Sequence, residues 1–65
     1  MNKKEFEKAW SETGTGLKKV FFGKTSFIYG DGYYFDIDHP NRARISKGGL
    51  LSGVISLSRI KRIKD

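Results

Sequence analysis

The pattern of apolar and polar positions changes from a helical period to a strand period near residue 14. Asn2 suits the N-cap of a helix, and Glu5 stands where a capping-box partner belongs. We therefore predict a helix from Asn2 to about Thr13, ended by Gly14 as its C′ residue. A helix this short is marginal alone, so its apolar face must dock on the rest of the chain. That face carries residues at the spacing i, i+3 and i+4, namely Phe6, Ala9 and Trp10.

After residue 16 the apolar positions come in short runs separated by turn residues. β-branched and aromatic residues dominate these runs, which favours strands. For the closing segment, residues 58–63, a single helical or 3₁₀ turn and a twisted last strand remain as alternatives. The predicted strands are Leu17–Phe22, Thr25–Tyr29, Tyr33–Ile37, Arg42–Ser46 and Leu50–Leu57, the last one bent at Gly53.

The clearest turn signal lies between Tyr29 and Tyr34, where two glycines and an aspartate separate two aromatic runs. Asp-Gly suits tight turns, because glycine adopts positive φ without steric cost. We predict a β-hairpin here, and its register remains open between a two-residue and a three-residue loop. In either register Tyr34 faces away from the core. The residues predicted to feed the core from this hairpin are Phe27, Tyr33, Phe35 and Ile37.

Together these elements predict one α+β domain over residues 1–65, with a helix over residues 1–13 and β-structure over residues 17–63. Four or five short antiparallel strands at this spacing favour a meander that curls into a small SH3-like barrel. A flatter sheet with the helix across one face is the alternative. The chain has no cysteine and therefore no disulfide, so apolar packing must hold the fold, largely through nine aromatic residues.

The net charge of +6 is concentrated in the second half of the chain. Residues 1–32 hold six lysines and four acidic residues, whereas residues 33–65 hold seven basic and three acidic residues. No acidic residue occurs between His39 and Lys64. A concentrated positive field attracts phosphate polymers, anionic lipid or acidic proteins.

Catalysis and metal binding have little support in the sequence. His39 is the only histidine, and it stands in a turn beside Pro40. Asp36 and Asp38 precede it, but carboxylates in such a turn usually cap backbone amides and stay solvated. Without cysteine there is no thiolate zinc ligand and no thiol nucleophile. We expect no enzymatic activity, no metal site and no cofactor.

The sequence also predicts a soluble, cytoplasmic protein without membrane contact. Its first residues lack the apolar core of a signal peptide. The longest mostly apolar run, Leu50–Leu57, is interrupted by serines and a glycine, and a spanning helix needs roughly 20 apolar residues. The lack of cysteine suits a reducing compartment.

The acid-free basic segment favours a small nucleic-acid-binding accessory protein that contacts DNA or RNA mainly through phosphates. Guanidinium groups bind phosphate in a fork, and exposed aromatic rings stack on bases. The alternative is a protein–protein interaction module that modulates a larger partner with an acidic surface, as a monomer or a homodimer. The predicted nucleic-acid contacts are Tyr34, Arg42, Arg44, Lys47, Arg59, Lys61 and Arg62.

Overall fold

The computed structural model describes all residues, Met1–Asp65, and begins with helix α1, Lys3–Ser11. The predicted capping box is confirmed: the Asn2 side chain accepts a hydrogen bond from the Glu5 amide at 2.8 Å. In return, the Glu5 carboxylate accepts one from the Asn2 amide at 2.9 Å. No helix of the chain is long and apolar enough to cross a bilayer.

The C-terminal end of α1 differs from the prediction. Glu12 is the C-cap, and the Thr13 hydroxyl donates to the Trp10 carbonyl at 2.6 Å. Gly14 does not adopt positive φ, so it is not the left-handed residue that we predicted. Its amide instead donates to the Asp65 carboxylate at 3.0 Å, which ties the end of the helix to the end of the chain.

Seven strands form two antiparallel sheets. The strands are β1 (Lys18–Phe21), β2 (Phe27–Gly30), β3 (Gly32–Phe35), β4 (Arg42–Lys47), β5 (Leu50–Leu51), β6 (Ile55–Ser56) and β7 (Arg62–Lys64). The first sheet has the order β2–β1–β7, and in the second sheet β4 pairs with β3 on one edge and with β5 and β6 on the other. The α+β class is therefore confirmed, whereas the two sheets do not close into one barrel, and the SH3-like barrel stays a prediction.

The segment Gly30–Gly32 connects the two sheets, and we term it the corner. The predicted hairpin at this position is wrong, because β2 pairs with β1 and β3 pairs with β4. Neither glycine of the corner has positive φ. Gly30 is needed for close approach instead: a Cβ there would lie 2.1 Å from Cγ2 of Ile45. The hairpin forms one strand earlier, between β1 and β2, where the Phe22 amide donates to the Ser26 carbonyl at 2.8 Å.

The core lies between the sheets and α1. The Phe6 ring is fully buried and packs on the rings of Tyr33 and Phe35, with centroids 4.9 and 5.6 Å away. The helix therefore docks as predicted. Ile37 was placed in the core wrongly: β3 ends at Phe35, and Ile37 beyond it is 97% exposed. The buried core residues are Phe6, Val20, Ala43, Ile45, Leu57 and Ile60.

The elements predicted in the last third of the chain are present, but one predicted strand is interrupted. The strand predicted over Leu50–Leu57 is divided into β5 and β6, next to the expected bend at Gly53. Ser52 causes the break by pairing with Ile45 through both its amide and its hydroxyl, at 2.8 and 2.9 Å. A 3₁₀ turn, Leu57–Arg59, and strand β7 then follow each other, so both alternatives for the closing segment occur.

Candidate nucleic-acid interface

The outer face of the first sheet combines aromatic and basic side chains. Lys19 pairs with Tyr29 on one side and Lys64 on the other, whereas Phe21 pairs with Phe27 and Arg62. Paired residues in antiparallel strands share a face, and alternate residues take the opposite face. The alternate residues Val20, Ile28 and Ile63 belong to the core or pack against it. The remaining set is termed the aromatic–cationic face: Lys19, Phe21, Phe27, Tyr29, Arg62 and Lys64.

Three aromatic rings form a row across this face. The Phe21 and Phe27 centroids are 5.4 Å apart, and the Phe27 and Tyr29 centroids are 5.3 Å apart. Phe21 is buried beneath its neighbours, whereas Phe27 is 39% and Tyr29 41% exposed. The assignment of Phe27 to the core was wrong, because its partner in the register is Phe21 and not a residue of β3. Two of the three rings are therefore accessible from solvent.

Basic groups lie over each ring of the row. The Lys19 ammonium is 5.2 Å from the Phe27 centroid and 5.7 Å from that of Tyr29. The Arg62 guanidinium is 4.5 Å from the Phe21 centroid. Exposed cation–π contacts of this kind are worth about 0.5–1 kcal/mol. Such contacts orient the cations but are weak enough to exchange for a phosphate.

Lys47 joins the face from the second sheet, with its ammonium 5.5 Å from the Tyr29 centroid. Asp31 in the corner positions it, since the Asp31 amide donates to the Ser46 carbonyl at 2.7 Å. The Asp31 carboxylate also accepts a hydrogen bond from the Gly48 amide at 3.0 Å. Gly48 has φ +58°, which allows the tight turn after β4. The corner therefore brings a cation of one sheet onto the outer face of the other.

Further cations extend the face at its opposite end. Lys24 and Lys61 line a shallow depression together with Gly23 and Arg62. The Lys61 amide donates to the Phe21 carbonyl at 2.7 Å, which holds this segment beside β1. Strands β1, β2 and β7 contain no acidic residue. Positive charge thus runs along the aromatic row from one end to the other. The carboxylates that flank these strands, Asp31 and Asp65, accept hydrogen bonds from backbone amides.

The second sheet presents an outer surface of different composition. Tyr34 is 62% exposed and pairs with Arg44 across β3 and β4. Around them, two carboxylates and two aliphatic side chains line one shallow cup. Arg42 lies on the same side of β4 as Arg44 by strand alternation and is exposed. This surface is termed the mixed face: Tyr34, Asp36, Ile37, Asp38, Arg42, Arg44 and Val54.

The structure divides the residues that we predicted to contact nucleic acid. Lys47, Lys61 and Arg62 lie on or beside the aromatic–cationic face. Tyr34, Arg42 and Arg44 lie on the mixed face. Arg59 borders a separate apolar depression lined by Phe22, Ile28, Val54 and Ile55. These groups lie on different surfaces because β7 pairs with β1. They would form one continuous basic surface only if β7 lay beside β4.

Sequence reasoning missed Lys19 and Lys24 as site residues. The signal was present in two alternating pairs, Lys19 with Phe21 and Phe27 with Tyr29, on either side of a glycine-lysine turn. A hairpin placed over residues 22–26 brings both pairs onto one face. Asp-Gly in the corner is the stronger turn signal, and we therefore predicted the hairpin at the wrong position.

The turn before β4 carries the only histidine and two carboxylates. The Asp36 carboxylate accepts a hydrogen bond from the Asp38 amide at 3.1 Å, which is ordinary turn capping. His39 is exposed, and its carbonyl accepts a hydrogen bond from the Arg42 amide at 2.9 Å. No group of three or more metal-ligating side chains is assembled in the chain. The Asp36 carboxylate therefore caps the turn, as expected for a carboxylate at this position.

No protein-family model, curated protein or solved structure matches the chain. A function is therefore inferred from the surface chemistry of the two sheets.

Proposed function

We propose that the protein is a small nucleic-acid-binding accessory protein that contacts phosphates through its aromatic–cationic face. The observation that supports this most directly is a row of cations over the aromatic rings of a solvent-accessible sheet face. A phosphate backbone gains affinity from each Lys or Arg that it contacts, because bound counterions are released. The proposed phosphate-binding residues are Lys19, Lys24, Lys47, Lys61, Arg62 and Lys64.

The cations on this face can bind phosphate with the loss of only weak contacts within the protein. Lys19 and Lys47 contact only exposed ring faces, and each such contact is worth about 0.5–1 kcal/mol. A hydrogen bond between two charged groups is roughly twice as strong as one between neutral groups. The exchange of a ring for a phosphate is therefore favourable, and Arg62 adds a fork that suits phosphate geometry.

The mixed face is a poorer place for a polyanion. Its cup brings Asp36 and Asp38 close to Arg44, so a phosphate bound there meets negative charge as well as positive. The same cup exposes Tyr34, Ile37 and Val54. Aromatic and aliphatic residues beside an arginine are typical of protein interfaces. A protein–protein contact of this face, with a larger partner, is therefore the second candidate function.

The test is a titration of labelled single-stranded and double-stranded oligonucleotides followed by fluorescence anisotropy. If four phosphates of a single strand are contacted, the affinity falls about 50-fold between 50 and 200 mM salt. Poly-glutamate serves as the competitor, because it matches the charge without phosphates. Absence of binding at the lower salt concentration, or equal competition by poly-glutamate, contradicts the proposal and favours an acidic protein partner.

A further inference from the structure

We propose that the preferred ligand of the aromatic–cationic face is single-stranded nucleic acid, with one base stacked on Phe27 and another on Tyr29. This inference rests on the proposed function and names the substrate class of the same site. It assigns a role to the two accessible aromatic rings, which phosphate binding alone leaves unused.

Phe27 and Tyr29 take no part in the core of the protein. They are nevertheless held in fixed positions on β2, two residues apart and on the same face of the strand. Stacking on an aromatic ring is available to every base, since each base has a π-face. The two rings therefore form a platform that suits a strand without regard to its sequence.

The relative orientation of the rings selects for unpaired bases. The planes of Phe27 and Tyr29 are inclined at 88°, with centroids 5.3 Å apart. In a duplex, neighbouring bases lie parallel, with a rise of about 3.4 Å per base on each strand. Two bases that stack on perpendicular rings cannot stay parallel to each other. A duplex therefore cannot occupy both rings, whereas a flexible single strand can turn its bases separately.

The cations are interleaved with the rings in the order that a strand requires. Lys19 lies within reach of both Phe27 and Tyr29, and Lys47 flanks Tyr29. At the far end, Arg62 lies over Phe21, beside Phe27. Bases that take the ring faces displace the ammonium groups, which then meet the phosphates between and beyond the bases. The alternation of ring and cation thus matches the alternation of base and phosphate.

The decisive experiment compares ligands that differ only in their bases. The wild-type protein is titrated with a DNA strand of about 12 nucleotides, within the usual site size of small single-strand binders, and with an abasic strand of equal length. The same sequence as single-stranded RNA and as duplex DNA forms two further arms. We expect the abasic strand and the duplex to bind at least about tenfold more weakly than the DNA or RNA single strand.

A pair of variants assigns the effect to the rings. The double variant Phe27→Leu, Tyr29→Leu should lose the preference for base-bearing strands and bind them as it binds the abasic strand. Tyr34→Leu, on the mixed face, is the matched control and should retain the preference. Circular dichroism checks that each variant is folded, and the abasic comparison on the wild-type protein decides the question even if the double variant is not.

Two outcomes separate this inference from the function on which it rests. Equal, salt-dependent binding of base-bearing and abasic strands overturns stacking and leaves phosphate binding intact. A duplex that binds as tightly as the single strand also overturns the inference. No binding of any oligonucleotide at about 50 mM salt overturns both proposals.

Discussion

The two sheets of this small protein have outer faces of opposite character. On the aromatic–cationic face, basic groups lie over a row of aromatic rings, and the flanking carboxylates of Asp31 and Asp65 accept hydrogen bonds from backbone amides. On the mixed face, Arg44 shares a cup with two carboxylates and with exposed aliphatic side chains. The net charge of +6 therefore does not identify the binding surface by itself. The position of each cation relative to the nearest acids distinguishes the two faces.

A substitution in the corner that separates the two faces should destabilise the fold strongly. In Gly30→Ala the new Cβ would lie 2.1 Å from Ile45 Cγ2 and 3.0 Å from the Ser46 carbonyl. We expect a loss of about 3 kcal/mol in the free energy of unfolding, measured by urea denaturation. Gly23→Ala is the matched control, because its Cβ meets no atom within 4 Å. Equal stability of the two variants contradicts the role given to Gly30.

Charge reversal compares the two faces directly. Lys19→Glu, Arg62→Glu removes two cations from the aromatic–cationic face, whereas Arg42→Glu, Arg44→Glu removes two from the mixed face. Both double variants have the same net charge, so any difference in affinity reports position and not total charge. We expect the first pair to lower nucleic-acid affinity on the order of 100-fold and to reduce the salt slope by about 1.4. A larger loss of affinity from the second pair would show that nucleic acid binds to the mixed face.

Two adjacent lysines on β1 lie on opposite sides of the first sheet, Lys18 on the inner side and Lys19 on the outer side. Lys18 is 5% exposed, and its ammonium donates to the carbonyls of Gly14 and Gly16, the latter at 3.3 Å. Lys18→Met leaves these carbonyls without that donor, which should lower the free energy of unfolding by about 1–3 kcal/mol. Lys19→Met should change stability by no more than about 1 kcal/mol, because only exposed cation–π contacts are lost, and it should weaken nucleic-acid binding instead. Urea denaturation and anisotropy on both variants test this, and a reversed pattern refutes it.

Tyr33 should also give the free energy of unfolding a small dependence on alkaline pH. Burial, assisted by the negative charge of Glu7, raises the pKa of Tyr33 above its ordinary value. The folded protein thus holds this proton to higher pH than the unfolded chain does. The resulting stability is complete below the unfolded pKa of about 10 and is lost as the pH rises through the folded pKa.

Tyr33→Phe removes this contribution. We expect urea denaturation at several pH values above about 9 to show a shallower decline for the variant than for the wild-type protein. Tyr34→Phe controls for the loss of a tyrosine hydroxyl from the same strand. Parallel declines for wild-type protein and Tyr33→Phe would show that this hydroxyl does not contribute.

Local sequence signals predicted the local structure well. The capping box at Asn2 and Glu5 and the strand that begins at Arg42 both follow from local sequence patterns. Pairing between distant strands was not predictable in this way. A glycine required for positive φ and a glycine required for close approach look identical in a sequence, and Gly30 is of the second kind.

The sequence predicted which kinds of residue form the candidate site, but not which of them lie on the same face. Basic and aromatic residues were recognised, but the partner of each strand decides which of them share a face. Once the hairpin was placed at the corner, Phe27 was assigned to the core and Lys19 had no neighbours. With β1 beside β2 and β7, the same residues form one continuous surface. The information that was missing is tertiary, since the β1–β7 pairing joins the two ends of the β-structure.

The concentration of cations on the aromatic–cationic face has a thermodynamic consequence. Like charges held together repel one another, so the unbound fold carries an electrostatic penalty that either salt or a polyanion relieves. A bound strand at one hundred times its Kd adds about 2.7 kcal/mol to the free energy of unfolding. Salt should therefore raise the melting temperature of the free protein and lower that of the complex, until the two converge.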